Sequence, residues 1–182
     1  MKKIFLMLIA VVGLLAASCS DKKGVKDEAV ADVNEVVIND TTVYGTCGES
    51  TTMSYLELDT SDGDTIRYLL ETDSLFSPVK GGLLAGDRLA VTGHKDGDEF
   101  VADNVINLTT LLGKWSSIDK NFEIKEGGIV KSTLTEHNQY TKWEIINGNL
   151  VLSPDTFSVY VLGPDSLLLE NKEGIYAFAR LK

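Results

Sequence analysis

Beyond residue 35 the chain is cut into short runs of alternating apolar and polar residues, each bounded by Gly, Asp or Asn, and no stretch sustains a helical period. Successive side chains of a strand point to opposite faces, so each such run can bury one face only. A chain assembled from them must curl its sheets around their own cores. The frequent Val, Ile, Thr, Tyr and Phe favour the same outcome. An all-β fold of small antiparallel barrels is therefore expected, and the seam Asn107-Leu108-Thr109-Thr110 divides the region into two β-rich segments, 36–108 and 109–182.

In the first segment five strands are expected: Thr42–Cys47, Met53–Leu58, Thr65–Glu71, Asp87–His94 and Glu99–Ile106. The Asp-Gly pairs in Ser61-Asp62-Gly63-Asp64 and Lys95-Asp96-Gly97-Asp98 suit the positive φ angles of tight hairpins. A longer connection, Thr72–Gly86, separates strands three and four and has room for a helical turn. Five strands interrupted after the third, with Gly86-Asp87-Arg88-Leu89-Ala90-Val91-Thr92-Gly93 entering the fourth, resemble the OB-fold, a five-stranded barrel.

In the second segment Leu112-Gly113-Lys114-Trp115 is similar to the Gly-x-Trp opening of lipocalins, and Ile175-Tyr176-Ala177-Phe178-Ala179-Arg180 to their closing strand. Between them run Phe122–Ile124, Gly127–Ser132, Tyr140–Glu144, Asn149–Ser153, Phe157–Leu162 and Asp165–Leu169, with turns at Asn147-Gly148, Pro164-Asp165 and Glu173-Gly174. Taken in order, these resemble the short lipocalin-like domain of Bacteroidota lipoproteins over residues 109–182, while residues 36–108 lie outside that likeness. The resemblance implies that Gly113, Trp115 and Arg180 close the barrel, the guanidinium lying across the indole. About seven short strands are expected, with little interior to spare.

Residues 1–18 read as a lipoprotein signal peptide: Lys2 and Lys3, an apolar run from Ile4 to Ala17, and small residues before Cys19. The apolar run is too short to span a bilayer. Cys19 is then the lipidated mature N-terminus, held at the envelope by acyl chains, and Ser20 after it points to the outer membrane. Ala16 stands where the lipobox prefers Leu. Residues 19–35, charged and without aromatic side chains, read as a flexible tether.

Without residues 1–18 the chain carries 17 − 2 = 15 basic and 27 acidic residues, a formal charge of −12. Residues 36–108 hold four basic residues (Arg67, Lys80, Arg88, Lys95) against 13 acidic ones. Such a field repels nucleic acid, so the stacking role that Tyr44, Tyr55 and Tyr68 could serve on an OB surface is disfavoured, and the tyrosines are expected in core or surface packing. Two cysteines preclude a disulfide framework once Cys19 is acylated, and Cys47 reads as a small buried residue rather than a reactive thiol.

No metal, cofactor or catalytic set is expected. The acidic turns at Asp59–Asp64 and Asp96–Glu99 lack the spacing of a calcium loop, and His94 and His137 stand in different segments. Nucleophile elbows, phosphate loops and dinucleotide fingerprints do not occur. Two functions follow: a non-catalytic carrier that takes a small apolar ligand in the lipocalin-like domain, or a structural adaptor that binds another envelope protein through its β surfaces. A hydrolase is the third, weaker class.

Overall fold

The computed structural model describes residues 39–71, 77–132 and 139–182. The expected signal peptide, Cys19, the tether and His137 lie outside them. Ile38–Lys182 forms one compact unit, and it is all-β.

Six strands build its first part: β1 (Val43–Cys47), β2 (Tyr55–Thr60), β3 (Thr65–Leu69), β4 (Val79–Lys80), β5 (Arg88–Asp96) and β6 (Glu99–Asn107). Their order is β3-β2-β1-β5-β6-β4, and β3 also pairs in parallel with β6, at Tyr68↔Phe100 and Leu69↔Val101. That parallel seam closes the five longer strands into an OB-like barrel. One strand more than expected is present, because the two-residue β4 adds in parallel to β6 at Val79↔Val105. Strand alternation sends Leu56, Leu58, Leu89, Val91 and Val105 into its core, with Cys47 and Tyr68 beside them.

A four-residue helix, α1 (Leu108–Leu111), follows directly, N-capped by the side chain of Asn107. The second part is an up-and-down meander of eight antiparallel strands: β7 (Gly113–Ser116), β8 (Asn121–Lys125), β9 (Ile129–Ser132), β10 (Trp143–Ile146), β11 (Asn149–Leu152), β12 (Asp155–Leu162), β13 (Ser166–Asn171) and β14 (Gly174–Leu181). The expectation of about seven is thus one short, because each of the eight apolar runs of this segment forms a strand of its own. β14 returns to β7, and between β9 and β10 a single bridge, Ile129↔Lys142, leaves the barrel nearly closed. At the β10–β11 hairpin Asn147 (φ 49°) and Gly148 (φ 73°) make the positive-φ pair that a two-residue loop with right-handed strand twist demands.

The second barrel has no free interior of its own at one end. Because its strands alternate in direction, the turns at 126–128, 147–148 and 163–165 gather at the end where β7 begins and β14 stops. There the first barrel covers it. Ala90 on β5 and Ile106 on β6 are register partners whose neighbours Leu89, Val91 and Val105 face the first core, while they themselves belong to the second barrel's buried cluster with Leu108 and Leu111.

Hydrogen bonds fasten the same junction. The Tyr44 hydroxyl donates to the Ile145 carbonyl (2.8 Å), Asn104 Nδ2 to the Gly148 carbonyl (2.8 Å), and the Thr41 amide to Asn147 Oδ1 (2.9 Å). Asp40 Oδ1 accepts from the Asn147 amide (2.9 Å) and from the amide and hydroxyl of Thr42. Burial alone pushes the Asp40 carboxyl up, but the hydrogen bonds from Thr42 and Asn147 together hold it below the ordinary aspartate value. A depressed folded-state pKa makes this clamp fully effective above the unfolded pKa and loses it as pH falls through the folded one. Acidification should therefore shift the Asn147 amide resonance and speed its hydrogen exchange, and Asp40→Asn should abolish that pH dependence. An unchanged titration in the variant would assign the effect elsewhere.

Candidate functional site

Trp115 is fully buried, and its indole Nε1 donates to the Leu111 carbonyl (2.9 Å). Arg180, its register partner on β14, lies with Cζ 4.1 Å from the ring centroid. The guanidinium is spent on backbone: Nη1 donates to the Leu112 carbonyl (2.7 Å), Nη2 to that of Thr110, and Nε to that of Pro164. Burial pushes its pKa down, and Asp165 opposes that shift. Gly113 completes the arrangement. Its φ of +128° disfavours any side chain, and a Cβ there would stand 2.5 Å from Arg180 Nη1. The three residues named from the sequence thus meet where the first and last strands join, beneath α1, and none of their polar atoms is directed at an open cavity.

The rest of the interior is filled by an aromatic cluster. Phe122 makes edge contacts with Tyr140 (5.4 Å) and Phe178 (5.0 Å), and Phe157 does so with Tyr140 (6.3 Å) and Tyr176 (5.6 Å). At the end away from the first barrel, Lys120 Nζ sits 3.9 Å from the Tyr140 ring centroid. Such rings in edge-to-face geometry pack at the density of a protein core.

The three tyrosines of the first barrel separate. Tyr68 is buried against Phe100, and burial raises its pKa. Tyr55 is covered by Arg67, whose Cζ lies 4.0 Å above the ring. Tyr44 alone keeps an open face, at 40% exposure, with its hydroxyl tied to the second barrel. They form no common stacking platform.

Tyr44 lines a cleft of about 320 Å³ on the outer face of β2, β1 and β5. Asp59, Thr46 and Arg88 cross it as one row of register partners, Thr46↔Asp59 and Thr46↔Arg88, with Ser61 and Leu108 at its sides. All three point outward because Leu58, Cys47 and Leu89 beside them point in. Asp59 Oδ1 accepts from the Thr65 hydroxyl (2.8 Å), and Arg88 Nη2 reaches Glu126 Oε1 (3.0 Å) rather than Asp59. The Arg88 amide donates to Thr109 Oγ1 (2.9 Å), which fixes the strand at the barrel junction. No spacing in the sequence marks this site, since its residues come from three strands and only the register joins them.

Cys47 is buried, its Sγ 3.4 Å from Thr51 Oγ1. His94 Nδ1 lies 2.8 Å from Asp103 Oδ1, a pair made by the bulge opposite Thr92 and Gly93 that leaves Asp103 unpaired in the ladder; both side chains are more than half exposed. Among the described residues no group of three or more His, Cys, Asp or Glu gathers as a metal site. No family model, no curated protein and no solved structure matches the chain.

Proposed function

We propose that this is a lipid-anchored envelope protein, similar to the Bacteroidota lipoproteins with a lipocalin-like domain, that works as a non-catalytic binding module. Its ligand sits in the cleft beside Tyr44, not inside the second barrel. The observation that carries this reading is the contrast between the two places. The barrel interior is occupied by Trp115, the aromatic cluster and the first barrel's Ala90 and Ile106. The cleft is open, its lining is mostly apolar, and a few polar groups converge on it from a rigid scaffold at the junction of two barrels. Native mass spectrometry of the full chain from its own cells should retain a small molecule that is lost in Arg88→Gln. A co-purified compound unaffected by Arg88→Gln but displaced by enlarging Leu150 or Leu167 would return the ligand to the barrel.

The anchor has its own test. Metabolic labelling with a fatty-acid probe should mark the wild type, and Cys19→Ser should abolish the label completely. Persisting label in the variant would refute the lipoprotein reading.

One observation favours the adaptor as a second reading. On the outer face of β12–β14, Val161, Leu168 and Ala177 form a row across three strands, flanked by Tyr160 (52% exposed), Ile175 (59%) and Leu181 (49%). Exposed apolar side chains set in such a row suit a protein partner.

A further inference from the structure

From the charge pattern of the cleft we infer that it takes a small zwitterion with an apolar side chain, an α-amino acid or a dipeptide. The inference rests on the cleft being the binding site. Asp59 and Arg88 stand one strand to either side of Thr46, so their Cα atoms are separated by about two strand spacings, ~10 Å. Their side chains leave the same face, and no ion pair joins them. One carboxylate and one guanidinium held apart across a cleft complement an ammonium and a carboxylate on one ligand.

Other ligand classes fit less well. A dianion would meet a single guanidinium already shared with Glu126, in a segment of 4 basic and 13 acidic residues. A cation alone would leave Arg88 facing it. An uncharged apolar molecule would strip water from Asp59 and Arg88 and offer neither a counter-charge, which costs more than the apolar contact returns. The zwitterion satisfies both groups and adds no net charge. Its side chain has the open face of Tyr44 to rest on, with Leu108 at the edge of the cleft, and the Tyr44 hydroxyl is tied to the Ile145 carbonyl. The Arg88–Glu126 pair leaves most of the guanidinium's donors unused. At 48% and 73% side-chain exposure it is also weak enough to yield.

The test is titration of the full chain, followed by calorimetry and by amide shifts, with four probes: L-phenylalanine, L-phenylalanyl-L-phenylalanine, N-acetyl-L-phenylalaninamide and D-glucose. One of the two zwitterions should bind saturably and shift Thr46, Asp59 and Arg88. Whichever binds more tightly tells the free amino acid from the dipeptide. The acetylated amide, which keeps the side chain and loses both charges, should bind at least tenfold more weakly, and glucose should not bind.

Asp59→Asn and Arg88→Gln should each weaken zwitterion binding by about 10- to 100-fold, the loss expected for one charge-assisted hydrogen bond. Both side chains are exposed, so melting should be unchanged and folding is not in question. Equal binding of the acetylated amide, or tighter binding of glucose, would overturn the zwitterion while leaving the cleft as the site. Zwitterion binding that both variants retain would place it elsewhere and overturn the inference. No binding of any probe, with a native ligand still lost in Arg88→Gln, would overturn the ligand class alone.

Discussion

Trp115→Ala is expected to lower the stability of the two-barrel unit by about 3 to 5 kcal/mol, the usual range for deleting a large buried aromatic side chain. The indole is fully buried, and its removal leaves the Arg180 guanidinium without the face it lies on. Against a typical total of about 5 to 15 kcal/mol, that loss brings the fold close to its limit. Arg180→Ala should cost less, about 2 kcal/mol, because it strips charge-assisted donors from the carbonyls of Leu112, Thr110 and Pro164 but leaves the indole packed. Arg180→Lys should recover only part, since one ammonium cannot serve three carbonyls in a planar fork. A double-mutant cycle should show about 1 kcal/mol of coupling between the two residues. Urea denaturation of the wild type, the three single variants and the double mutant is the measurement. Single variants that unfold like the wild type while a native ligand is lost would make the pair part of a pocket.

Much of this architecture is legible in the sequence because period-two burial needs only local information. Leu56 and Leu58, or Leu167 and Leu169, declare an inward face by themselves, and Asn147-Gly148 declares its hairpin. The closing triad was also accessible, since Gly113 and Trp115 lie two residues apart and Arg180 ends the final run. Three features escaped. Val79–Lys80 is too short to alternate at all, so its pairing to β6 leaves no pattern. The bulge at Asp103 is one extra residue whose effect appears only against its partner strand. The cleft requires Asp59, Thr46 and Arg88 to share a row, which is a property of register and not of spacing.

The covering of the second barrel by the first did leave a mark. Leu89-Ala90-Val91 and Val105-Ile106 are apolar at consecutive positions where a one-sided strand would alternate, and all five are buried. Unbroken apolar runs signify a strand covered on both faces. Read in that way, they would have announced that β5 and β6 stand between two cores, one on each face. It also follows that a carrier cavity opening at that end of the second barrel has no mouth among the described residues, because Ile106 and Ala90 stand in it.

Those two-faced strands make the joint between the barrels the second place where one substitution should tell. Asn107 is fully buried at the end of β6 and works in both directions. Its Oδ1 accepts from the Thr110 amide (2.9 Å) and caps α1, while Nδ2 donates to Asp87 Oδ2 (2.7 Å) and the Gly82 carbonyl (2.9 Å). Asn107→Ala removes the cap and leaves these acceptors without their donor, a loss of about 2 to 4 kcal/mol. Asn107→Asp separates the two roles. It keeps the acceptor for Thr110 but sets a carboxylate against Asp87, so it should be at least as damaging as alanine at neutral pH. Two carboxyls in such contact share a proton when folded and lose it when unfolded, so the folded state binds more protons and stability falls as pH rises. The aspartate variant should therefore regain stability on mild acidification, and the alanine variant should not. Denaturant midpoints of both proteins across that pH range decide the matter: an aspartate variant as stable as the wild type at neutral pH would mean that the cap, not the bridge to Asp87 and Gly82, is what Asn107 supplies.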